Sequence, residues 1–564
     1  MDPVPQRPDP ARATWASAAV RRFAAVTNLL VAARTFRTVG GDPEDVAALH
    51  ALLTGLGARA AVGDDPVDQL WCLGDPDDAT AAVEREAVRP RGRTLVVVDA
   101  GRHAPGVDED AFGPVAPARP GVLAVPTLSD DVFLVSVGRD PEVDPAAAAR
   151  IRWARRSMPV SRAVAAELRD AGLLRGTRVG VAMVLEPKTA VLSLLLREAG
   201  AEVVVYAHAD ETDEAVAQVL RDAGLPVHAS STATPAEQRT LALAMLDTRP
   251  QVLLDDGAHV VRLAHQDRPE LLPTMLGAAE ETTSGLRPLR VMAARGELGI
   301  PVVAVNDART KTFFDNRYGT GQSTVFAALD LVDGLASGTH RVRSGGAAVV
   351  AGSGPVGEGV AMVLRALGFR VTVAETDPVR ALQARFAGYR VALLEDAVRD
   401  ADLLVSATGV TDTIDLRTLR ACAPGAVVAV AGGVEQEVAV IDALADGAVP
   451  RTEARKVERF TWPDGHHVVV LDRGGCVNIT AAEGNPVEIM DLSFAVQLGA
   501  VRMLLERGDE LDRTVVPIDP AVDEATARAA LAAFGSRAAP PGRPGEHPAD
   551  REPDVRTHRF GTPA

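Results

Sequence analysis

Short apolar runs alternate with stretches of helical spacing along most of this chain. Arg178 to Val184, Glu202 to Ala207, Pro226 to Ala229 and Val252 to Leu254 read as strands. Between them, Thr189 to Ala199 and Asp213 to Ala223 carry apolar residues at helical spacing, and Gly200 stops the first. Ile151 to Ala171 is helical in pattern, with a break at Pro159 and a stop at Gly172. Alternation of this kind predicts a parallel sheet covered by helices. A second unit begins near Gly345, with a strand over Ala347 to Ala351, a helix over Val360 to Leu367 and a strand over Arg370 to Ala374. The expected fold class is therefore α/β, with two Rossmann-like doubly wound parallel-sheet domains, one for substrate and one for a dinucleotide, and a cleft between them.

Ahead of these units, Ala18 to Phe36 mixes apolar and basic residues at helical spacing, and Thr94 to Ala100 reads as a buried strand. Arg34 and Arg37 are read as part of a solvated helix face. The expected organisation is a small α/β extension over 1–130, a substrate domain over 131–321 and a cofactor domain over 322–483. The chain then returns to the substrate domain over 484–535, and a tail follows over 536–564. The tail and residues 1–12, rich in Pro and charge, are expected to be disordered.

Composition narrows the function classes. The chain has 564 residues and a formal net charge of −17, which disfavours nucleic-acid binding by phosphate neutralisation. Cys72, Cys422 and Cys476 form no metal-ligand spacing and no disulfide framework, so no metal is expected and a reducing cytoplasm is the expected compartment. No run of about 18 apolar residues appears, so no membrane span is expected.

The candidate chemistry lies in two stretches. Gly352-Ser353-Gly354-Pro355-Val356-Gly357 sits between a strand and a helix, the context a dinucleotide turn needs. Gly352 permits the tight turn, Gly354 lets the backbone approach a pyrophosphate, and Gly357 lets helix and strand pack closely. Glu375, at about the ~20-residue spacing of a ribose-binding acid, favours NAD over NADP. The other stretch holds Lys311, Asp315 and Asn316, where a helix puts Lys311 and Asp315 on one face. Asp255-Asp256-Gly257 follows a strand, and Glu280-Glu281-Thr282-Thr283 precedes a loop. A structural account makes Asp256 an N-cap, Glu281 part of a capped helix start, and Lys311 with Asp315 a surface ion pair.

From about Val132 to about Phe534 the chain resembles the S-adenosyl-L-homocysteine hydrolase family. The resemblance rests on Leu253 to Gly257, Glu280 to Thr283, Val305-Asn306-Asp307, Lys311, Phe314-Asp315-Asn316 and Tyr318-Gly319. It continues through the glycine turn, Glu375 to Pro378, Ala381 to Ala384, Gly388-Tyr389 and Val477-Asn478. The resemblance implies tightly held NAD that oxidises a nucleoside 3′-hydroxyl and thereby acidifies the 4′ C–H. Loss of the 5′ substituent, water addition and ketone reduction follow. It implies Lys311 as base at the 3′-hydroxyl, with Asp315 on that part of the sugar and Asn316 orienting lysine and cofactor. Glu281 is implied at a sugar hydroxyl and Asp256 in acid–base chemistry near C5′. Lysine suits its role when a cleft and the nicotinamide charge depress its pKa. Thr282, Thr283, Glu375, Arg380 and Asn478, with the glycine turn, are implied as NAD contacts. Glu186, Lys188, Thr189, Asn485 and Met490 are implied on the substrate side. A homo-oligomer, dimer or tetramer, is implied as well.

Departures from the family pattern cluster at the 5′ and base end. The family's His-x-Thr-x-x-Thr segment is Val184 to Thr189 here, so its base contacts become Glu186 and Lys188. Its Gly-His-Phe-Asp segment is Gly432-Gly433-Val434-Glu435, and its Met-Gly-His-Pro segment is Glu483-Gly484-Asn485-Pro486. Three imidazoles are thereby lost. Thr320 replaces a cysteine, Arg380 an asparagine, and His259 an aspartate; the family's C-terminal Lys–Tyr tail is absent. Glu186 has two readings, acceptor for an exocyclic amine or ion-pair partner of Lys188. With proton carriers lost at 5′, the expectation tilts to a lyase or dehydratase releasing a 4′,5′-unsaturated nucleoside, as in angustmycin-type pathways. S-adenosylhomocysteine hydrolysis is the alternative, and an inactive NAD-binding regulator the second.

Overall fold

The computed structural model describes residues 9–89, 93–138, 147–336, 338–432 and 436–539. The disorder expected over 1–8 and 540–564, and the altered segment at Gly433, Val434 and Glu435, lie outside the described residues. Pro10, Ala11 and Arg12 instead open a helix, Pro10–Thr27, capped by Asp9.

The two expected doubly wound sheets are both present. The substrate-side sheet runs, edge to edge, Val227–His228, Glu202–Tyr206, Arg178–Ala182, Val252–Asp255, Gly277–Glu280, Val302–Ala304 and Val515–Pro517, all parallel. The cofactor-side sheet runs Arg390–Val391, Arg370–Ala374, Ala347–Ala351, Leu403–Ser406, Val427–Val430 and His467–Leu471 in parallel. An antiparallel hairpin, Val457–Thr461 and Val449–Ala454, extends its edge. Continuous burial of strands such as Leu403–Ser406 and Val427–Val430 explains why they read as unbroken apolar runs.

The extension is larger than the sequence suggests. It contains a seven-stranded sheet ordered Arg59–Ala60, Thr35–Val39, Gln69–Cys72, Leu95–Asp99, Val132–Ser136, Val122–Ala124 and Ala116–Arg119. Val132–Ser136, expected to open the substrate domain, pairs with Leu95–Asp99 here, so the boundary moves past 130. A buried apolar run does not say which sheet it joins. Ala18 to Phe36 is likewise not one helix. The helix ends at Thr27, Asn28 turns left-handed (φ 52°), and Thr35 starts a strand. Arg34 is buried and ion-paired with Glu488, and Arg37 lies in that strand, so neither belongs to a solvated helix face.

The chain leaves the substrate domain through the helix Thr320–Asp333 and returns through 476–486 into the helix Val487–Arg507. Residues 27–34 seat on both crossings. Gln322 accepts from Val31 N (2.9 Å) and donates to Leu29 O (3.2 Å). Glu488 accepts from Leu30 N (3.1 Å), and Val487 N donates to Asn28 O (2.9 Å). Arg21 pairs with Asp330 and Asp333 further along the first crossing. These contacts tie the N-terminal unit to the frame that holds substrate and cofactor domains together.

Candidate active site

Three adjacent parallel strands of the substrate-side sheet deliver side chains at their carboxyl ends, where α/β folds gather reactive groups. Asp255 ends one strand and Glu280 the next, while Asn306 follows the third. Asp255 accepts from Val261 N (2.7 Å) and Asp256 N (3.1 Å), so Asp255, not Asp256, holds the start of the following helix. Glu280 accepts from Gly257 N, Ala258 N and Thr282 N, each at 2.9 Å, and so shapes the loop that carries Asp256.

Lys311 lies at the centre. Its Nζ is 2.7 Å from Asp315, 2.9 Å from Asn316 Oδ1, 3.3 Å from Asn306 Oδ1 and 4.0 Å from Glu281. The residues after it, Thr312–Gly319, form a π-helix. Its i→i+5 geometry explains why Asn316 joins Asp315 on the lysine's face, and such segments recur at functional sites. Lys311 and Asp315 are both buried, which overturns the surface-pair account. Glu281 accepts from Ser493 Oγ and from Gln497 Nε2 (2.7 Å) of the long return helix. Sequence reasoning missed Ser493 and Gln497, and it singled out Asn306 without giving it a role. Two uncharged polar residues four apart in a buried, mostly apolar stretch of the helix were the available signal for Ser493 and Gln497.

The cluster sets its own protonation. Burial would lower the Lys311 pKa, but Asp315 and then Glu281 outweigh it and hold the ammonium above its usual range. The depressed lysine expected from sequence is therefore not produced by the protein's own groups. Burial lifts Glu281 to about 7 against the pull of Lys311, and it raises Asp256 in the same way. Asn485 extends the network. Its amide donates to Asp315 Oδ1 (2.6 Å) and Thr320 Oγ1 (3.1 Å), and its carbonyl oxygen accepts from Ser323 Oγ (2.7 Å) and Asn478 Nδ2 (3.1 Å). Met490 packs, half-buried, against the core.

At the head of the cofactor-side sheet, Gly352 has φ +94°, and a Cβ on Gly357 would lie 2.1 Å from Gly352 O. Gly354 is the N-cap of the helix Pro355–Ala366 and supplies no side chain to it. The first N–H groups of that helix are thus left to face an anion. Glu375 accepts from Ser353 N (2.6 Å), Thr376 N (2.7 Å) and Asp377 N (2.9 Å). Against its partial burial, these donors keep its carboxyl below the usual range. Arg380 Nη1 reaches within 3.7 Å of where a Gly354 Cβ would sit. Val356 is half-buried behind the turn. Thr282 caps the helix Thr283–Ala294 through Gly285 N, and Thr283 is exposed at its start. The open turn, the uncapped helix start and the acid beside them fit a dinucleotide.

Glu186 and Lys188, implied on the substrate side, are engaged with each other. Glu186 caps the helix Pro187–Glu198 through Lys188 N (2.9 Å) and Thr189 N (3.2 Å), and it pairs with Lys188 Nζ at 2.7 Å. Lys188 is 1% exposed, and its Nζ also donates to Asn28 Oδ1 (3.0 Å) and Glu483 O (2.7 Å). Of the two readings for Glu186, the ion pair is the one formed. Arg119 and Arg150 in turn hold Glu483. Removing one partner of a buried pair leaves the other charge uncompensated. Lys188→Ala should therefore lower folding stability by about 3 kcal/mol. Chemical denaturation checks this, and a change within error of zero would contradict the buried pairing.

Fold and site together define an NAD-dependent enzyme built on two doubly wound sheets. Comparison with known proteins gives the same class. Residues 324–484 match the family model described as S-adenosyl-L-homocysteine hydrolase, NAD binding domain. The adenosylhomocysteinase of Thermotoga maritima is 39% identical over 388 residues, covering 68% of this chain and 94% of that protein. The S-inosyl-L-homocysteine hydrolase of Methanothermobacter thermautotrophicus is 38% identical over 402 residues, covering 70% of this chain and 94% of that protein. The chain belongs to the S-adenosyl-L-homocysteine hydrolase family, and NAD is its cofactor.

Proposed function

We propose that this enzyme oxidises the 3′-hydroxyl of a bound nucleoside, cleaves the bond from C5′ to its substituent, and returns the hydride to the sugar. The observation that carries this reading is the buried Lys311 cluster, with Asp315, Asn316 and Glu281 grouped around one ammonium. NAD, when bound, supplies reversible hydride acceptance. Asp315 and Asn316 fix Lys311 toward the sugar hydroxyl. Glu281, lifted to about 7, holds a second hydroxyl. Asp256 serves the proton at C4′ once the ketone has acidified it.

For the outcome at C5′, hydrolysis of a 5′-thioether nucleoside is the first reading. It is supported by the hydrolase names of relatives 36–39% identical that this chain covers over more than nine tenths of their length. Release of a 4′,5′-unsaturated nucleoside by a lyase or dehydratase is the second. The observation favouring it is the presence of Val184 and Asn485 in place of imidazoles. A homo-oligomer, dimer or tetramer, working in a reducing cytoplasm completes the proposal. The test incubates purified holoenzyme with S-adenosylhomocysteine, S-inosylhomocysteine and adenosine. Homocysteine with free nucleoside marks hydrolysis, and an unsaturated nucleoside by mass marks elimination. No product and no change in the nicotinamide absorbance band with any of them would remove the proposal.

A further inference from the structure

In the N-terminal sheet the chain passes from Arg59–Ala60 to Gln69–Cys72 across Thr35–Val39, which pairs with both. A parallel crossover usually carries a helix over the strand it passes. Here residues 61–68 form only a loop. The loop shares a face of the sheet with the helix Pro76–Ala87: Val67 belongs to one buried cluster with Ala82 and Val83, and Arg89, just after the helix, donates to Asp64 O (2.6 Å). A cavity of about 350 Å³ opens there, lined by residues of strand, loop and helix. None of its lining residues takes part in the nucleoside or dinucleotide site.

Arg37, Arg85 and Arg89 line this cavity together with Asp64 and Glu86. Arg89 is engaged by the protein: Nη1 lies 3.3 Å from Glu86 Oε1, and Nη2 donates to Asp64 Oδ1 (2.9 Å). Arg37 is engaged only in part. Its Nη2 donates to Asp65 O (3.0 Å), while Nε, 3.9 Å from Glu86 Oε1, is buried without a hydrogen-bond partner. Arg85 is exposed and, among the described residues, forms neither a hydrogen bond nor an ion pair. Glu86 is 3% exposed, and its Oε2 also has no hydrogen-bond partner. Unpartnered buried polar atoms are few in native proteins, and each needs a reason. The lining thus joins guanidinium donors that lack an acceptor to a carboxylate oxygen that lacks a donor.

We propose that this cavity is a ligand site of the N-terminal unit and takes a sugar phosphate, with the phosphate on Arg37 and Arg85 and a sugar hydroxyl donating to Glu86. Guanidinium forks match phosphate oxygens, and a phosphate monoester presents three of them. An ionised carboxylate only accepts, so a hydroxyl is a fitting partner for Glu86, which Arg89 holds in place. Three guanidiniums against two carboxylates leave positive charge for an anion to meet. The volume is that of a small-molecule site. The proposal is independent of the nucleoside chemistry above. Arg37 lies on the strand that continues residues 27–34, so the ligand is held by the unit that seats on both domain crossings.

Calorimetric titration of the full-length holoenzyme with ribose 5-phosphate and with inorganic phosphate tests this. Ribose 5-phosphate should bind at one site and more tightly than inorganic phosphate. Arg85→Ala, at an exposed position without a partner, should weaken both probes by about tenfold or more. Glu86→Gln should weaken ribose 5-phosphate by about tenfold without weakening inorganic phosphate. Binding of neither probe overturns the site. Binding that Arg85→Ala leaves unchanged lies elsewhere, the catalytic cleft included, and overturns it as well. Ribose 5-phosphate no tighter than inorganic phosphate, or weaker than glutamate, overturns the sugar-phosphate assignment. Equal weakening of both probes by Glu86→Gln overturns the role of Glu86. Should Glu86→Gln fold poorly, Arg37→Gln takes its place: a loss of about tenfold for both probes supports the site, and unchanged binding overturns it.

Discussion

Lys311→Met should reduce turnover by about 10³-fold while leaving the cofactor in place. Among the described residues, the Lys311 ammonium is the cation that Asp315 and Glu281 face, at 2.7 and 4.0 Å. Methionine fills the volume but neither donates nor carries a proton. Asp315 and Glu281 would then share a buried space without a counter-charge, and one of them takes up a proton. The variant should thus lose about 3 kcal/mol of stability at neutral pH and recover part of it in acid. Steady-state turnover, bound nicotinamide released on denaturation, and denaturation midpoints at two pH values check this together. Turnover within about tenfold of wild type would remove Lys311 from the chemistry.

Gly357→Val should empty the cofactor site. A Cβ at this position would lie 2.1 Å from Gly352 O and 2.8 Å from Gly352 C, both backbone atoms that no rotamer change can move. The helix Pro355–Ala366 must shift off the turn, and its first N–H groups move with it. Overpacking of this kind costs about 3 kcal/mol, equivalent to about a 100-fold loss of dinucleotide affinity. Chromatography of nucleotides released from the purified variant should show little NAD, and activity should return only when NAD is added at high concentration. Retention of NAD equal to wild type would show that the turn is not the phosphate cradle.

Parts of the site were legible because their chemistry depends on local order. The glycine turn announces itself by its place between a strand and a helix, and Glu375 by its distance from that turn. Lys311 and Asp315 could be paired from spacing alone. Asn316 needed the π-helix, which widens the turn so that five residues, not four, return to one face. The roles of Asp255 and Asp256 were less legible. Adjacent carboxylates look alike in a string, and only the backbone donors at Val261 and Asp256 make Asp255 the one that anchors the helix.

Residues contributed from far along the chain were out of reach. Ser493 and Gln497 meet Glu281 at sequence separations of 212 and 216. Asn28 meets Lys188 from an extension that carries no motif, at a separation of 160.

The residue pattern alone was enough to establish two doubly wound sheets, a dinucleotide turn and a lysine–carboxylate family signature, because periodicity, glycine placement and short spacings are properties of neighbouring residues. Tertiary packing alone decided that the N-terminal unit is a third sheet locked onto both domain crossings. It also decided that Lys311 stays charged and that Glu186 and Lys188 neutralise each other. Burial and long-range charge set those outcomes, and neither is a property of any local stretch of chain.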